Sequence, residues 1–127
     1  MSKSNENNRH VSVLELGSLT TDGTLLPGIH FPQKSTIKSV KLLNGAAIAA
    51  SDSNYFQLAL KAGSTVVAEM DSRAAHENGV AQNVAEALNI VSGQETQAAL
   101  TDLTVLYNET GTVALTNAKL MVEWYPH

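Results

Sequence analysis

The stretch Tyr55–Met70, YFQLALKAGSTVVAEM, decides the fold class. Phe56, Leu58 and Leu60 recur with a period of two, and Tyr55, Gln57, Ala59 and Lys61 fall between them. Successive side chains of a strand point to opposite faces, so this is a strand with one apolar face. Ala62-Gly63-Ser64 turns the chain, and Thr65–Met70 resumes the alternation with Val66, Ala68 and Met70 on one side. Two such runs joined by a short glycine-containing link make a β-hairpin.

The same reading extends in both directions. Toward the C-terminus, Leu103, Val105 and Tyr107 alternate against Thr104, Leu106 and Asn108, and the turn-rich NETGT of Asn108–Thr112 follows. In Lys119–Tyr125, Leu120, Val122 and Trp124 share one face, while Lys119, Met121, Glu123 and Tyr125 share the other, and Pro126 ends the run. Trp124 is therefore expected in the core. Tyr125 is expected to face outward, where it could meet a subunit or stack on a sugar. Toward the N-terminus lie Thr36–Leu43 and Val11–Leu16. Between them, Asp22-Gly23 and Pro27-Gly28 isolate the short apolar pieces Thr24–Leu26 and Ile29–Phe31.

One segment is ambiguous. Val80, Val84, Leu88 and Val91 fit one helical face, whereas Val84, Leu88 and Ile90 fit one strand face with Glu86 as the exception. Periodicity alone slightly favours the helix. The chain otherwise reads as about eight short strands at the spacing of a sandwich or barrel. The expectation is a flexible arm, residues 1–10, followed by a single antiparallel β-sandwich, residues 11–127.

Composition narrows the function. The 127 residues carry a formal net charge of -4, and the eight Lys and Arg are scattered, with Lys34, Lys38 and Lys41 too few to form a patch. That argues against nucleic acid, whose binding depends on displacing counterions from phosphates. Only 16% of residues are charged and 5% aromatic. The core must be aliphatic, and the surface must be covered by Thr, Ser, Asn and Gln, which suits burial against a partner or copies of itself and equally a neutral-polar monomer. The absence of cysteine excludes disulfides, zinc–thiolate sites and cysteine nucleophiles. No run approaches the length of a membrane span.

No catalytic, cofactor or metal residue stands out. His10, His30, His76 and His127 show no helical chelate spacing, and His76-Glu77 would point to opposite faces of a strand. Glu69 and Asp71 share strand parity, while Asp22, Glu86 and Glu95 flank turns. The glycines are isolated turn formers, with no phosphate loop, dinucleotide fingerprint or nucleophile elbow among them. The reading is a non-enzyme with no cofactor.

Three segments, IKSVKLLNGA from Ile37, NYFQLALKAGSTVVAEM ending at Met70, and Asn89–Trp124, resemble small virion proteins of tailed bacteriophages, in particular head decoration (cement) and head-fibre proteins. The resemblance implies a jelly-roll-like sandwich and a strand at Val80–Ile90. It also implies a non-catalytic protein on the outer capsid surface, bound to the major capsid protein, often as a homotrimer, and assembled in the host cytoplasm. The competing reading is a carbohydrate-binding sandwich of a phage tail or fibre. It requires exposed aromatics, for which Tyr55, Tyr107 and Tyr125 are the candidates.

Overall fold

The computed structural model describes residues 8–76 and 78–127. Ten strands form in chain order: β1 (His10–Leu19), β2 (Thr24–Phe31), β3 (Ser35–Leu43), β4 (Tyr55–Ala62), β5 (Thr65–Asp71), β6 (Glu86–Ala87), β7 (Asn89–Ile90), β8 (Thr96–Gln97), β9 (Thr101–Thr110) and β10 (Leu115–Pro126). One sheet, A, has the order β1-β10-β3-β6, with β8 also on β3; the other, B, has the order β2-β9-β4-β5-β7. All pairings of these strands are antiparallel. The seven long strands plus β6 thus interleave two sheets in the order of a jelly roll: the sandwich is the one the strand pattern predicts, and its jelly-roll order is the one the resemblance implies.

The core lies between the sheets. Phe56, Leu58 and Leu60 of β4 are fully buried there, facing Val40, Leu42, Leu120 and Val122 of sheet A across the same cluster. Aliphatic side chains dominate, with Phe31, Phe56 and Tyr107 as the large fully buried rings. Gly28 in β2 has a packing reason: a Cβ there would collide with the Leu103 carbonyl of β9.

The hairpin forms as read, with one correction. Its register slips between Leu60 and Lys61, which pair with Ala68 and Val66, so Val67 is bulged and buried beside Ala68. The core position at the start of β5 therefore belongs to Val67, not Val66. Thr24–Leu26 and Ile29–Phe31 are one strand, kinked by a register shift between Pro27 and His30. The helical option for Val80–Val91 does not occur. Val80 bridges Ile48, β6 pairs with β3, β7 pairs with β5, and Val84 is left 51% exposed. Leu88, buried between those two-residue strands, marks where the chain crosses from one sheet to the other.

Two buried polar residues tie the connections. Asn44, fully buried, donates to the Ala46 carbonyl at 2.7 Å and accepts from the Thr116 N–H at 2.8 Å. Ser72 accepts from the Phe56 N–H at 3.1 Å. The arm expected at residues 1–10 falls mostly outside the described residues. Within them, His10 begins β1 and its ring stacks on Trp124 at 4.6 Å.

Candidate functional site

The three tyrosines on which sugar stacking would depend are all engaged. Tyr107 has no exposure, and its hydroxyl donates to Glu109 Oε1 at 3.1 Å, with the Val113 carbonyl at 3.3 Å. Burial first, then the Glu109 hydrogen bond and the charges of Glu109 and Asp22, push the phenol well above its ordinary value of 10.0. Tyr55 lies under the Arg73 guanidinium, 4.5 Å from the ring centroid.

Tyr125 corrects the sequence reading. A register shift after Glu123, where β10 pairs with Ser39 and then Ile37, leaves Lys38 as the extra residue of β3. Trp124 stays on the core side but only half-buried, its ring edge-on to Phe31 at 5.0 Å and its Nε1 donating to Ser12 Oγ at 3.0 Å. Tyr125 lies outside the core cluster, as its parity requires, yet it is only 8% exposed, with the His127 ring parallel to it at 6.4 Å.

The histidines do not converge. His30 Nδ1 donates to Asp102 at 2.6 Å, and His127 bonds Thr36 and, through its carbonyl, Gln33. His76 meets Asp71; its sequence neighbour Glu77 lies outside the described residues. Its Nδ1 is 2.8 and 2.9 Å from the two carboxylate oxygens, brought there by the 3₁₀ turn Ala74–His76. Among the described residues, no three His, Cys, Asp or Glu side chains could hold a metal ion together.

Among the described residues, two surfaces bear on function, one on each sheet. The outer face of sheet B carries an open groove of about 400 Å³. Register sets Asn108, Gln57 and Asp71 in one row and Leu106, Ala59, Glu69 and Asn89 in the next. The small Ala59 at the centre leaves the depression, and His76 and Asn78 of the following loop overhang it. This groove gathers amide donors and acceptors with two carboxylates over a narrow aliphatic floor. The His76–Asp71 pair has the form of an oriented base, but the groove lining offers no Ser, Thr or Cys as nucleophile.

The outer face of sheet A is different. Val11 and Val13 of β1 stand 61% and 51% exposed, in register with Glu123 and Met121. Two ion pairs lie on it: Arg9 meets Glu123 at 3.3 Å, and Lys119 meets Glu15 at 3.8 Å. Elsewhere Leu100 is 74% exposed and held at φ 62, a left-handed conformation that costs a non-glycine residue energy. Sequence parity placed Glu69 and Asp71 together, but the groove needed the strand order to appear. The Leu100 display had no signal in the sequence.

No family model and no curated protein matches the chain. Among solved structures, the chain matches over 100% of its length, and over 92% of the other, a chain described as the cyanophage Pam1 capsid asymmetric unit, with 12% identity and a TM-score of 0.57. It also matches, over 87% of its length and 98% of the other, the C-terminal CBM6 of LamC, a marine laminarinase from Zobellia galactanivorans, with 17% identity and a TM-score of 0.41. At such identities the likeness to the first is one of fold: one complete sandwich corresponds to nearly one complete chain of a capsid unit.

Proposed function

We propose that this protein is a structural component of a bacteriophage particle that binds the outside of the capsid, through the major capsid protein, and stabilises or decorates it. The observation that carries the reading is the end-to-end correspondence of fold with a chain from a phage capsid asymmetric unit. The surface supports it. Charge is sparse, and large apolar side chains (Val11, Val13, Leu25, Val84 and Leu100) stand exposed on strands and turns. Such a surface suits burial against other protein. Self-association on the lattice is part of the proposal. The test is co-sedimentation of the purified protein with empty capsids built from the major capsid protein of the same genome. Saturable binding at a fixed ratio to the capsid subunit is expected, and absence from the pellet at any concentration refutes the reading.

A second reading rests on the groove of sheet B, whose row of Asn108, Gln57 and Asp71 could bind sugar hydroxyls without aromatic stacking. Glycan-array binding that is lost in Gln57→Ala and Asn108→Ala would favour it. An array with no signal removes it.

A further inference from the structure

We infer that the free edge of β1 is where two copies of this chain pair, strand to strand, about a two-fold axis at Ser12. The inference does not rest on the capsid reading.

Of the sheet edges, this one alone is long and regular among the described residues. β1 pairs on one side only, with β10, and His10 to Glu15 pair residue for residue before the first irregularity at Gly17. The edge beside it, β2, is interrupted by Pro27, which lacks an N–H, and by the register shift that follows. The opposite edges are made of β6, β7 and β8, each two residues long. Proteins blunt their edges with such devices, and a long flat strand bearing apolar residues invites another strand.

The occupant follows from the side chains. An antiparallel partner must keep inward residues opposite inward ones, so only every second register is open. Setting Ser12 opposite Ser12 puts Val11 of each copy against Val13 of the other, and Arg9 of each against Glu15 of the other. Val11, Val13 and Glu15 belong to the outer face, in register with Glu123, Met121 and Lys119, and Arg9, the residue before β1, is on the same face through its contact with Glu123. The neighbouring registers fail this test. With Val11 opposite Val11, Arg9 faces Val13; with Val13 opposite Val13, Val11 faces Glu15. In the favoured register the charges alternate across the junction: Glu123 and Arg9 of one copy, then Glu15 and Lys119 of the other. Cross-strand apolar pairs and opposite charges both stabilise such a ladder. A strand that complements itself so fully in one register fits a second copy of itself. Two-fold symmetry makes each contact twice.

Sedimentation equilibrium tests the inference. The full chain should show a concentration-dependent step to twice 13.5 kDa. Arg9→Glu and Glu15→Arg, each checked for an unchanged circular dichroism spectrum, should each raise the association midpoint about tenfold, since each sets like charges opposite one another twice. Mixed in equal amounts, the two variants should associate with each other at close to the wild-type midpoint, because each supplies the charge the other now needs. Mixing repairs nothing within either chain, so recovery reports the junction between copies. A wild-type monomer up to about 1 mM, a trimer indifferent to both substitutions, or a mixture no better than its components would each overturn the inference.

Discussion

Replacing Asn44 with Ala should unfold the protein more readily than any change to its exposed amides. The Asn44 side chain has no exposure, so water cannot take over its bonds. Truncation orphans the Thr116 N–H at the head of β10, 2.8 Å from Asn44 Oδ1. A buried unsatisfied donor costs about 1–3 kcal/mol. The Ala46 carbonyl loses its donor as well, and the deleted amide leaves a small void, so a total of about 3 kcal/mol is expected. At about 2.1 cal/mol/K per residue, the unfolding entropy of a chain this long is near 0.27 kcal/mol/K, and the loss corresponds to about 10 °C in Tm. Asn44→Asp keeps the acceptor for Thr116 but sets a carboxylate against the Ala46 carbonyl, so it should not rescue. Asn89→Ala, an exposed amide in the groove, should stay within about 0.5 kcal/mol. Thermal and urea unfolding, followed by the fluorescence of the single tryptophan Trp124, measures all three. A fall below about 3 °C for Asn44→Ala, or one matched by Asn89→Ala, would show that the connections of sheet A do not depend on this clamp.

Tyr107 makes stability fall in alkali. Its folded pKa is raised, so its contribution is intact below the unfolded value near 10 and is lost as pH rises above it, by up to about 1.4 kcal/mol per pH unit. Tyr107→Phe should flatten the alkaline limb of a Tm–pH profile; an unchanged limb refutes this. Gly28→Ala should cost about 2 kcal/mol or more by forcing β2 away from Leu103, read as a lowered urea midpoint with unchanged m. Leu100→Gly should raise stability by about 0.5 kcal/mol, the left-handed strain it removes exceeding the added chain entropy of glycine. If Leu100 is retained for contact with a partner, the same substitution weakens capsid co-sedimentation.

What was legible in the sequence was the part governed by a single period. Phe56, Leu58 and Leu60, and likewise Leu120 and Val122, alternate because one face of each strand is buried, and all five have no exposure. What was not legible depends on where a ladder slips. The bulge at Val67 moves the core position by one residue, and the extra Lys38 in β3 adjusts how the end of β10 meets its neighbour, decided by partners far along the chain. At Val80–Ile90 the helical period misled for a related reason, while the strand that the resemblance implied is present only as β6 and β7. The segment's apolar residues serve a bridge, a crossing and two short strands in different sheets, so no one period describes them. The site followed the same rule. Glu69 and Asp71 share a face by parity alone, but their meeting with Asn89 and Asn108 requires knowing that β7 and β9 flank the hairpin.

The two outer faces also bear on how the protein would be arranged in a particle if the proposed function holds. Pairing through β1 would join two five-stranded A sheets edge to edge, and the Val11, Val13 and Met121 positions of both copies would merge into one apolar band. The groove of sheet B lies on the opposite side of the sandwich and would stay open in both copies. One side would then be suited to burial and the other to solvent or a polar ligand. A dimer of this form has a two-fold axis, so it would seat on a two-fold position of a lattice, whereas the trimer implied by the resemblance would seat on a three-fold. The position of the protein in a particle image therefore distinguishes the β1 junction from any assembly that leaves this edge unpaired.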